Sequence, residues 1–335
     1  MGALTTAMMV GLLKAAAEPT RLRILMLLAA GELNVKDFTR ILGQSQPRLS
    51  RHLRLLAEAG LVERAPEGSW VYFHLARDGE AGRIARLLID ATDTSDPLLV
   101  RDRQRAEVVK RERESEAQVY FETHASEWDT IRALHVSEAA VESAMRAALG
   151  PGPFDLFVDL GTGTARMLEL FADTYRRGLG LDLNPAMLSY ARSKLDHAAL
   201  GKAQVRRGDL YDLPVADGAA DAVVMHQVLH FLSDPVRAVR EAARILAPGG
   251  RLLIVDFAPH ELEFLREKHA HERLGLPGPV VQQWLDECGL RIAGTQNLPP
   301  ARGAAREQLT VSLWLAERPG AHAALKSTAK LEQLA

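Results

Sequence analysis

The stretch Phe157-Val158-Asp159-Leu160-Gly161-Thr162-Gly163 runs from an apolar strand into glycines and carries an acid near the strand's end. Glycines that follow a parallel strand let the backbone come close to a bound molecule. Asp182 and Leu183 lie about twenty residues beyond Gly161 and close the run Leu179-Gly180-Leu181. An acid at that place accepts hydrogen bonds from both hydroxyls of a ribose. Gly208-Asp209-Leu210 follows the next predicted strand. There Asp209 suits an adenine amino group and Leu210 one face of the ring. Asp221-Ala222-Val223-Val224-Met225-His226-Gln227 reads as a further strand that ends in polar residues at the sheet edge where open α/β folds bind ligands. Cys288 is the one cysteine, so the chain supplies no intramolecular disulfide and no cysteine cluster for a metal.

A glycine loop alone does not separate ligands, since dinucleotide enzymes use one too. Their pattern places a third glycine where this chain has Arg166, and a bulky side chain there fits a pyrophosphate poorly. S-adenosylmethionine (SAM) has no phosphate. It needs its amino-acid end held by the loop and its ribose held by Asp182. Methyl transfer from its sulfonium is an in-line displacement helped mainly by proximity and orientation, and a phenol, alcohol or acidic carbon would also require a base. His226, His230, His260, His269 and His271 are each weighed as that base, with a surface or hydrogen-bonded role favoured for each, and the spacing of His269 and His271 makes them a poor metal pair.

A second kind of chemistry is written nearer the N-terminus. From Arg40 to Ala57 there is no Asp or Glu, while Arg40, Arg48, Arg51 and Arg54 are basic. Asn34 is placed to cap a helix over 35–42, with Asp37 completing a capping box. Gly43 supplies a turn, Ser45 stands at the next N-cap and Pro47 sits in that helix's first turn. Leu49, Leu53 and Leu56 form a buried stripe; Arg48, Arg51 and His52 share another face. Ser45, Gln46 and Arg48 are the candidates for base edges, with Arg51 and Arg54 suited to phosphates and His52 beside them. Leu61–Arg64 and Trp70–Leu75, joined by a turn around 66–69, predict a two-stranded wing.

These residues need separate scaffolds, and the chain is long enough for them. Its 335 residues exceed one small domain, and 47% hydrophobic with 25% charged residues is ordinary for a globular chain. The net charge of −2 excludes a globally basic nucleic-acid binder, so any DNA surface is local. No apolar run reaches the roughly 18–20 residues of a membrane span, and a cytoplasmic protein is expected. The expected division is 1–95 for a DNA-binding and dimerisation domain, 96–149 for a charged helical linker, 150–318 for an α/β domain and 319–335 for a tail. Arg111 and Arg113 beside Glu112 and Glu114 read as a solvated helix face. The fold class expected is multidomain: an α+β winged helix-turn-helix followed by an α/β Rossmann-like domain.

Residues 10–92, through "EPTRLRILMLLAAGELNVKDFTRILGQSQPRLSRHLRLLAEAGLVERAPEGSWVYFHL", resemble the ArsR/SmtB family of dimeric bacterial repressors. The resemblance implies a homodimer on palindromic operator DNA with a recognition helix at Gln46–Ala57. Many members carry a cysteine pair where this chain has Asn34 and Lys36, and others bind metal through Asp and His on the helix after the wing, where 78–96 has no His. No metal is therefore expected. Residues 118–316, through "VDLGTGTARML", "GLDLNPAML", "GDLYDLP", "DAVVMHQVLHFLSDP" and "LAPGGRLLIVDF", resemble class I SAM-dependent methyltransferases of the ubiquinone/menaquinone-biosynthesis-like branch. That resemblance implies donor contacts at Asp159, Gly161, Thr162, Gly163, Asp182, Leu183, Asp209 and Leu210, with His226 facing the methyl.

Together they imply a repressor fused to a methyltransferase that acts on a small-molecule acceptor. The alternative is a regulator, with methionine-cycle genes as targets, that senses SAM or S-adenosylhomocysteine (SAH) and transfers nothing. A DNA methyltransferase is disfavoured, because 221–227 lacks the Asn/Asp-Pro-Pro-aromatic tetrapeptide and no Pro-Cys nucleophile is present.

Overall fold

The structure is a computed structural model that describes residues 4–67, 70–76, 79–133, 138–300 and 308–320. The tip of the predicted wing and the tail beyond Gly320 lie outside the described residues. The chain forms two compact units, Met1–Ser115 and Glu116–Ala335.

In the first unit, α1 (Thr6–Ala16), α2 (Pro19–Leu28), α3 (Val35–Leu42) and α4 (Gln46–Glu58) pack around Ile24, Leu25, Phe38, Ile41, Leu49, Leu53 and Leu56, all fully buried. The leucine stripe of α4 faces this core, as its spacing predicts. The capping box is formed: Asp37 N–H donates to Asn34 Oδ1 (3.2 Å), and Asn34 N–H donates to Asp37 Oδ2 (3.0 Å). Gly43 then takes the left-handed conformation (φ 65°) that turns the chain from α3 toward α4. Replacing Asn34 with alanine is expected to cost about 1 kcal/mol, since Asp37 N–H loses its cap. Denaturant unfolding of the full chain would show this as a lower midpoint for the first unit, with its slope unchanged.

Ser45 occupies the N-cap of α4, but its side chain makes no capping hydrogen bond; Pro47 in the first turn has no N–H to satisfy. β1 (Leu33–Asn34), β2 (Val62–Glu67) and β3 (Trp70–Leu75) form an antiparallel sheet in the order β1-β3-β2, with Val62 opposite Leu75. α5 (Gly79–Asp90) follows.

α6 (Pro97–His124) is a single 28-residue helix. Most of its charged residues, Arg101, Arg103, Arg105, Glu107, Arg111 and Glu112 among them, are exposed, as the solvated-face reading expects, while Asp102 and Arg113 turn inward. Within the first unit, Arg113 pairs with the buried Asp37, Glu112 pairs with Arg40, and Asp102, 1% exposed, takes both Nε (2.5 Å) and Nη2 (2.7 Å) of Arg23.

The second unit begins with the end of α6 and continues with α7 (Trp128–Ala133) and α8 (Glu138–Leu149). β4 (Phe154–Leu160), α9 (Arg166–Leu170), β5 (Tyr175–Asp182), α10 (Pro185–His197), β6 (Ala203–Arg207), β7 (Ala220–His226), α11 (Pro235–Ile245) and β8 (Leu246–Phe257) alternate as the sequence predicts. α12 (Phe264–Lys268), α13 (Gly278–Glu287), β9 (Arg291–Leu298) and β10 (Val311–Glu317) complete it. The seven-stranded sheet has the order β6-β5-β4-β7-β8-β10-β9, parallel from β6 to β8, with β10 antiparallel to both neighbours. Successive residues point to opposite faces. Phe157, Ala222, Val224, Leu253 and Val255 enter one core, and Val158, Val223, Met225, Leu252 and Ile254 enter the other. The fold is a Rossmann-like sheet whose order reverses at β4. The crevice for a ligand is therefore at the carboxyl ends of β4, β5 and β7.

Candidate ligand pocket and recognition helix

The loop after β4 is shaped by left-handed backbone at Gly161 (φ 73°), Gly163 (φ 50°) and Ala165 (φ 67°). A Cβ on Gly161 would stand 2.4 Å from Val228 Cγ2, so this position accepts no side chain. Gly161 N–H (2.8 Å) and Thr162 N–H (3.0 Å) donate to Leu181 O, tying the loop to the end of β5. Asp159, 1% exposed, accepts from the Thr162 hydroxyl (2.6 Å) and holds the loop from below.

Asp182 stands at the tip of β5. Its Oδ2 accepts from Gly163 N–H (2.9 Å) and its Oδ1 from Asn184 N–H (2.8 Å). Burial pushes this carboxyl above the ordinary carboxylate range, while backbone N–H groups of Asn184, Gly163 and Leu183 pull the other way. Leu183 beside it is half-buried. Asp209, after β6, is exposed and accepts from Tyr211 N–H (2.9 Å); Leu210 is buried in the core beneath it. His226 is the half-buried last residue of β7. Asp159, Gly161, Thr162, Gly163, Asp182 and Leu183 thus meet at the ends of two adjacent strands, β4 and β5. Asp209 and Leu210 follow β6 and His226 ends β7, the strands that flank this pair.

Three features are not carried by any spacing in the sequence. Trp128 packs against the loop, its Nε1 3.4 Å from where a Gly163 Cβ would be. Gln227 follows β7 in left-handed backbone (φ 50°), is buried, and its Nε2 has no partner among the described residues. Asp256, at the end of β8, lies 2.7 Å from His230 Nδ1 through Oδ1. Both members of that pair are buried, and they are 26 residues apart in the chain, so no local spacing marks them.

The loop carries no free positive charge for a phosphate. Arg166 is held by Glu142 through Nε and Nη2, each at 2.7 Å. A tight glycine cradle, a strand-end carboxylate and no phosphate counter-charge fit SAM better than a dinucleotide. Among the described residues, no group of three or more His, Cys, Asp or Glu is arranged to hold a metal ion. No described helix is long and apolar enough to cross a membrane.

In the first unit, Ser45, Gln46, Arg48, Arg51 and Arg54 are exposed on α4. Arg54 lies 3.7 Å from Glu58 on the same helix. His52 is not on that open face. Its side chain is 12% exposed, and its Nδ1 lies 3.6 Å from Glu18, the N-cap of α2. Burial lowers its affinity for a proton, with Glu18 opposing. Arg64, exposed on β2, adds a cation on the wing that the helix pattern alone did not reveal.

Residues 158–254 match the family model described as a methyltransferase domain, and residues 18–64 match that of the bacterial regulatory proteins of the arsR family. A 37.1 kDa protein in transposon Tn4556, of Streptomyces fradiae, is 29% identical over 228 residues, 60% of this chain and 65% of that protein. The ubiquinone/menaquinone biosynthesis C-methyltransferase UbiE of Teredinibacter turnerae is 32% identical over 145 residues, 41% of this chain and 58% of that one. The demethylmenaquinone methyltransferase of Thermus thermophilus is 35% identical over 104 residues, 30% of this chain and 47% of that one. The chain spans less than two thirds of the length of each of these relatives.

The chain therefore combines two recognised modules, an ArsR-family helix-turn-helix domain and a class I methyltransferase domain. The ligand of the second is SAM or SAH, and the residues at the ends of β4 and β5 are suited to hold it.

Proposed function

We propose that this protein is a cytoplasmic, homodimeric transcriptional repressor whose C-terminal domain binds SAM and passes its methyl group to a small-molecule acceptor. The observation that carries the reading is the pairing, in one chain, of an arginine-bearing second helix of a helix-turn-helix with the Gly161–Gly163 loop bonded to Asp182. Arg48 and Arg51 stand outward on α4, where an α-helix enters the major groove. The residues suited to the donor divide its parts among them. The loop from Gly161 to Gly163 takes the amino-acid end, Asp182 and Leu183 the ribose, and Asp209 and Leu210 the adenine. When bound, SAM supplies an electrophilic methyl on a sulfonium. The chain's own task is then to orient the acceptor, exclude water and accept a proton.

Support for the dimer comes from the outer helices of the first unit. Met8 (57%), Val10 (41%) and Leu13 (46%) on α1 and Leu87 (55%) on α5 leave large apolar side chains in water. Such a surface fits an interface between copies of the chain.

The test is binding to the DNA upstream of the protein's own gene, read by fluorescence anisotropy. Arg48→Ala is expected to weaken specific binding about 5- to 100-fold, the worth of one base-edge contact, and leave SAM affinity unchanged. Arg51→Ala should lower the dependence of log affinity on log salt by about one. Wild-type affinity no greater for this DNA than for random duplex would overturn the repressor reading.

A second reading, a sensor of SAM and SAH that transfers nothing, is favoured by one observation. The cavity bordered by Trp128, Gln227 and His230 encloses about 30 Å³, too little for an acceptor ring as it stands. In either reading the ligand state of the second unit is expected to change DNA affinity. SAM and SAH differ by a methyl and a positive charge, enough for the two to be told apart.

A further inference from the structure

Two buried side chains with unpartnered nitrogens line one aromatic-walled cavity beside the donor loop. Its lining includes Tyr120, Trp128, Gln227, His230, His269 and His271 beside Phe231 and Phe257. Trp128 packs against Gly163 of the loop, and Val228, next to Gln227, packs against Gly161. His230 is 1% exposed and Gln227 6%, yet His230 Nε2 and Gln227 Nε2 have no hydrogen-bond partner among the described residues. Buried polar groups are nearly always paired, so two orphans in one cavity mark a place built for something polar.

Their roles are opposite. Asp256 Oδ1 lies 2.7 Å from His230 Nδ1 and also accepts Phe257 N–H (2.8 Å); its Oδ2 accepts Leu229 N–H (3.0 Å) and His230 N–H (3.3 Å). A carboxylate so placed favours the tautomer of the neutral imidazole with its proton on Nδ1, in which Nε2 is a lone pair. Gln227 Nε2 is a donor only. One lone pair and one N–H together match a hydroxyl, whose proton goes to the first and whose oxygen accepts from the second. An ammonium has no lone pair for Gln227 and would leave that donor unsatisfied. The walls add the rest: Phe121 meets Phe231 edge to face at 4.8 Å behind the cavity, and Phe257 stacks on His271 (5.8 Å, 15°), the preferred surroundings of a flat apolar body.

We propose that His230 is the catalytic base of methyl transfer, that Asp256 positions it, and that the acceptor is a planar hydroxylated compound of phenol or enol type, its hydroxyl held by His230 and Gln227. This rests on the donor-site reading above. His226 is then not the base. In the step, the acceptor O–H gives its proton to His230 Nε2. The oxygen forms a bond to the donor methyl carbon while the carbon–sulfur bond breaks and its electron pair stays on sulfur as SAH. The proton leaves His230 to solvent when product departs. At about 30 Å³ the cavity holds the hydroxyl end alone, so a ring enters as the aromatic walls part.

The test uses the full-length protein saturated with SAH and 4-nitrophenol as the probe, at a fixed pH about one unit below the probe's own pKa. Its absorbance reports phenol and phenolate separately. Wild type is expected to raise the phenolate fraction of bound probe above that in buffer. His230→Asn and Gln227→Leu should each cut the phenolate signal by about tenfold or more, the loss of one hydrogen bond to a charged oxygen. Asp256→Asn should weaken it, and SAH affinity by calorimetry should stay near wild type in all three. Gln227→Leu leaves the His230–Asp256 pair intact and decides the matter if His230→Asn fails to bind SAH. Wild type that binds SAH but leaves the probe neutral or unbound overturns the proposal, as does a His230→Asn protein that keeps the phenolate signal. Wild type that does not bind SAH sinks the donor-site reading itself and this proposal with it.

Discussion

Asp182→Ala is expected to weaken SAM binding by about two orders of magnitude or more. Two ribose hydroxyls donating to one carboxylate are each worth about 1.5–3 kcal/mol, and about 1.4 kcal/mol is a factor of ten in affinity. The substitution also strips the acceptor from Gly163 N–H and Asn184 N–H, which loosens the loop that the amino-acid end needs. The pH dependence has a definite sign. Burial raises the Asp182 carboxyl above its ordinary range in the unliganded protein. A group shifted in that direction contributes stability that is fully present below its unfolded pKa and lost as pH rises through the folded one. Ionised Asp182 thus works against the unliganded fold at neutral pH, and its removal is not expected to unfold the second unit. Ribose binding, by contrast, uses the ionised form. Affinity for SAM should fall, on acidification, at a higher pH than an ordinary carboxylate would give, and Asp182→Asn should abolish that dependence. Calorimetric titration of SAM into wild type and both variants reads all of this. Unchanged affinity in Asp182→Ala would move the ribose elsewhere.

The second large effect is expected far from the donor loop. Asp102→Ala should destabilise the first unit by about 3–5 kcal/mol, because it leaves Arg23, 12% exposed, as a charge without its carboxylate. Replacing both, Arg23→Met with Asp102→Leu, should recover most or all of the loss, since the pair's attraction mainly offsets the cost of burying it. Thermal unfolding of the full chain, followed by loss of DNA binding, would show the single variant melting far below wild type and the double variant near it. SAM binding should persist in both. Equal destabilisation by the single and double variants would mean that the contact is held by shape rather than charge.

What the sequence reveals and what it hides follow distance along the chain. The recognition helix was legible because Leu49, Leu53 and Leu56 recur at helical spacing and Asn34 and Asp37 are near neighbours. The alternating strands and helices from Phe154 to Phe257 were legible for the same reason, each element carrying its own period. The glycine loop and Asp182 were legible as types at a spacing, though not the direct bond between Gly163 and Asp182. Long-range pairings were not. Glu18 draws His52 off the open face of α4, and Asp37 and Arg23 draw Arg113 and Asp102 of α6 inward. His230 was visible as a histidine, but its meaning depends on Asp256, brought beside it only because β7 and β8 are adjacent in the sheet. Gln227 was legible only as a polar residue at the end of a strand; its backbone angle and burial set it apart.

Linking a donor pocket to a DNA-reading helix requires that a ligand bind differently to the DNA-competent state and the other state. A coupling of about 1–3 kcal/mol, a 5- to 150-fold change in affinity, is the usual size. The most direct measurement is binding of the full-length protein to DNA upstream of its own gene at one fixed salt concentration, titrated with SAM and separately with SAH. Salt is held constant because phosphate contacts make the affinity strongly salt-dependent. Specific binding is expected, with an affinity that the two ligands shift by different amounts and with both shifts lost in Asp182→Ala. DNA affinity that is the same with SAM, with SAH and with neither would contradict it.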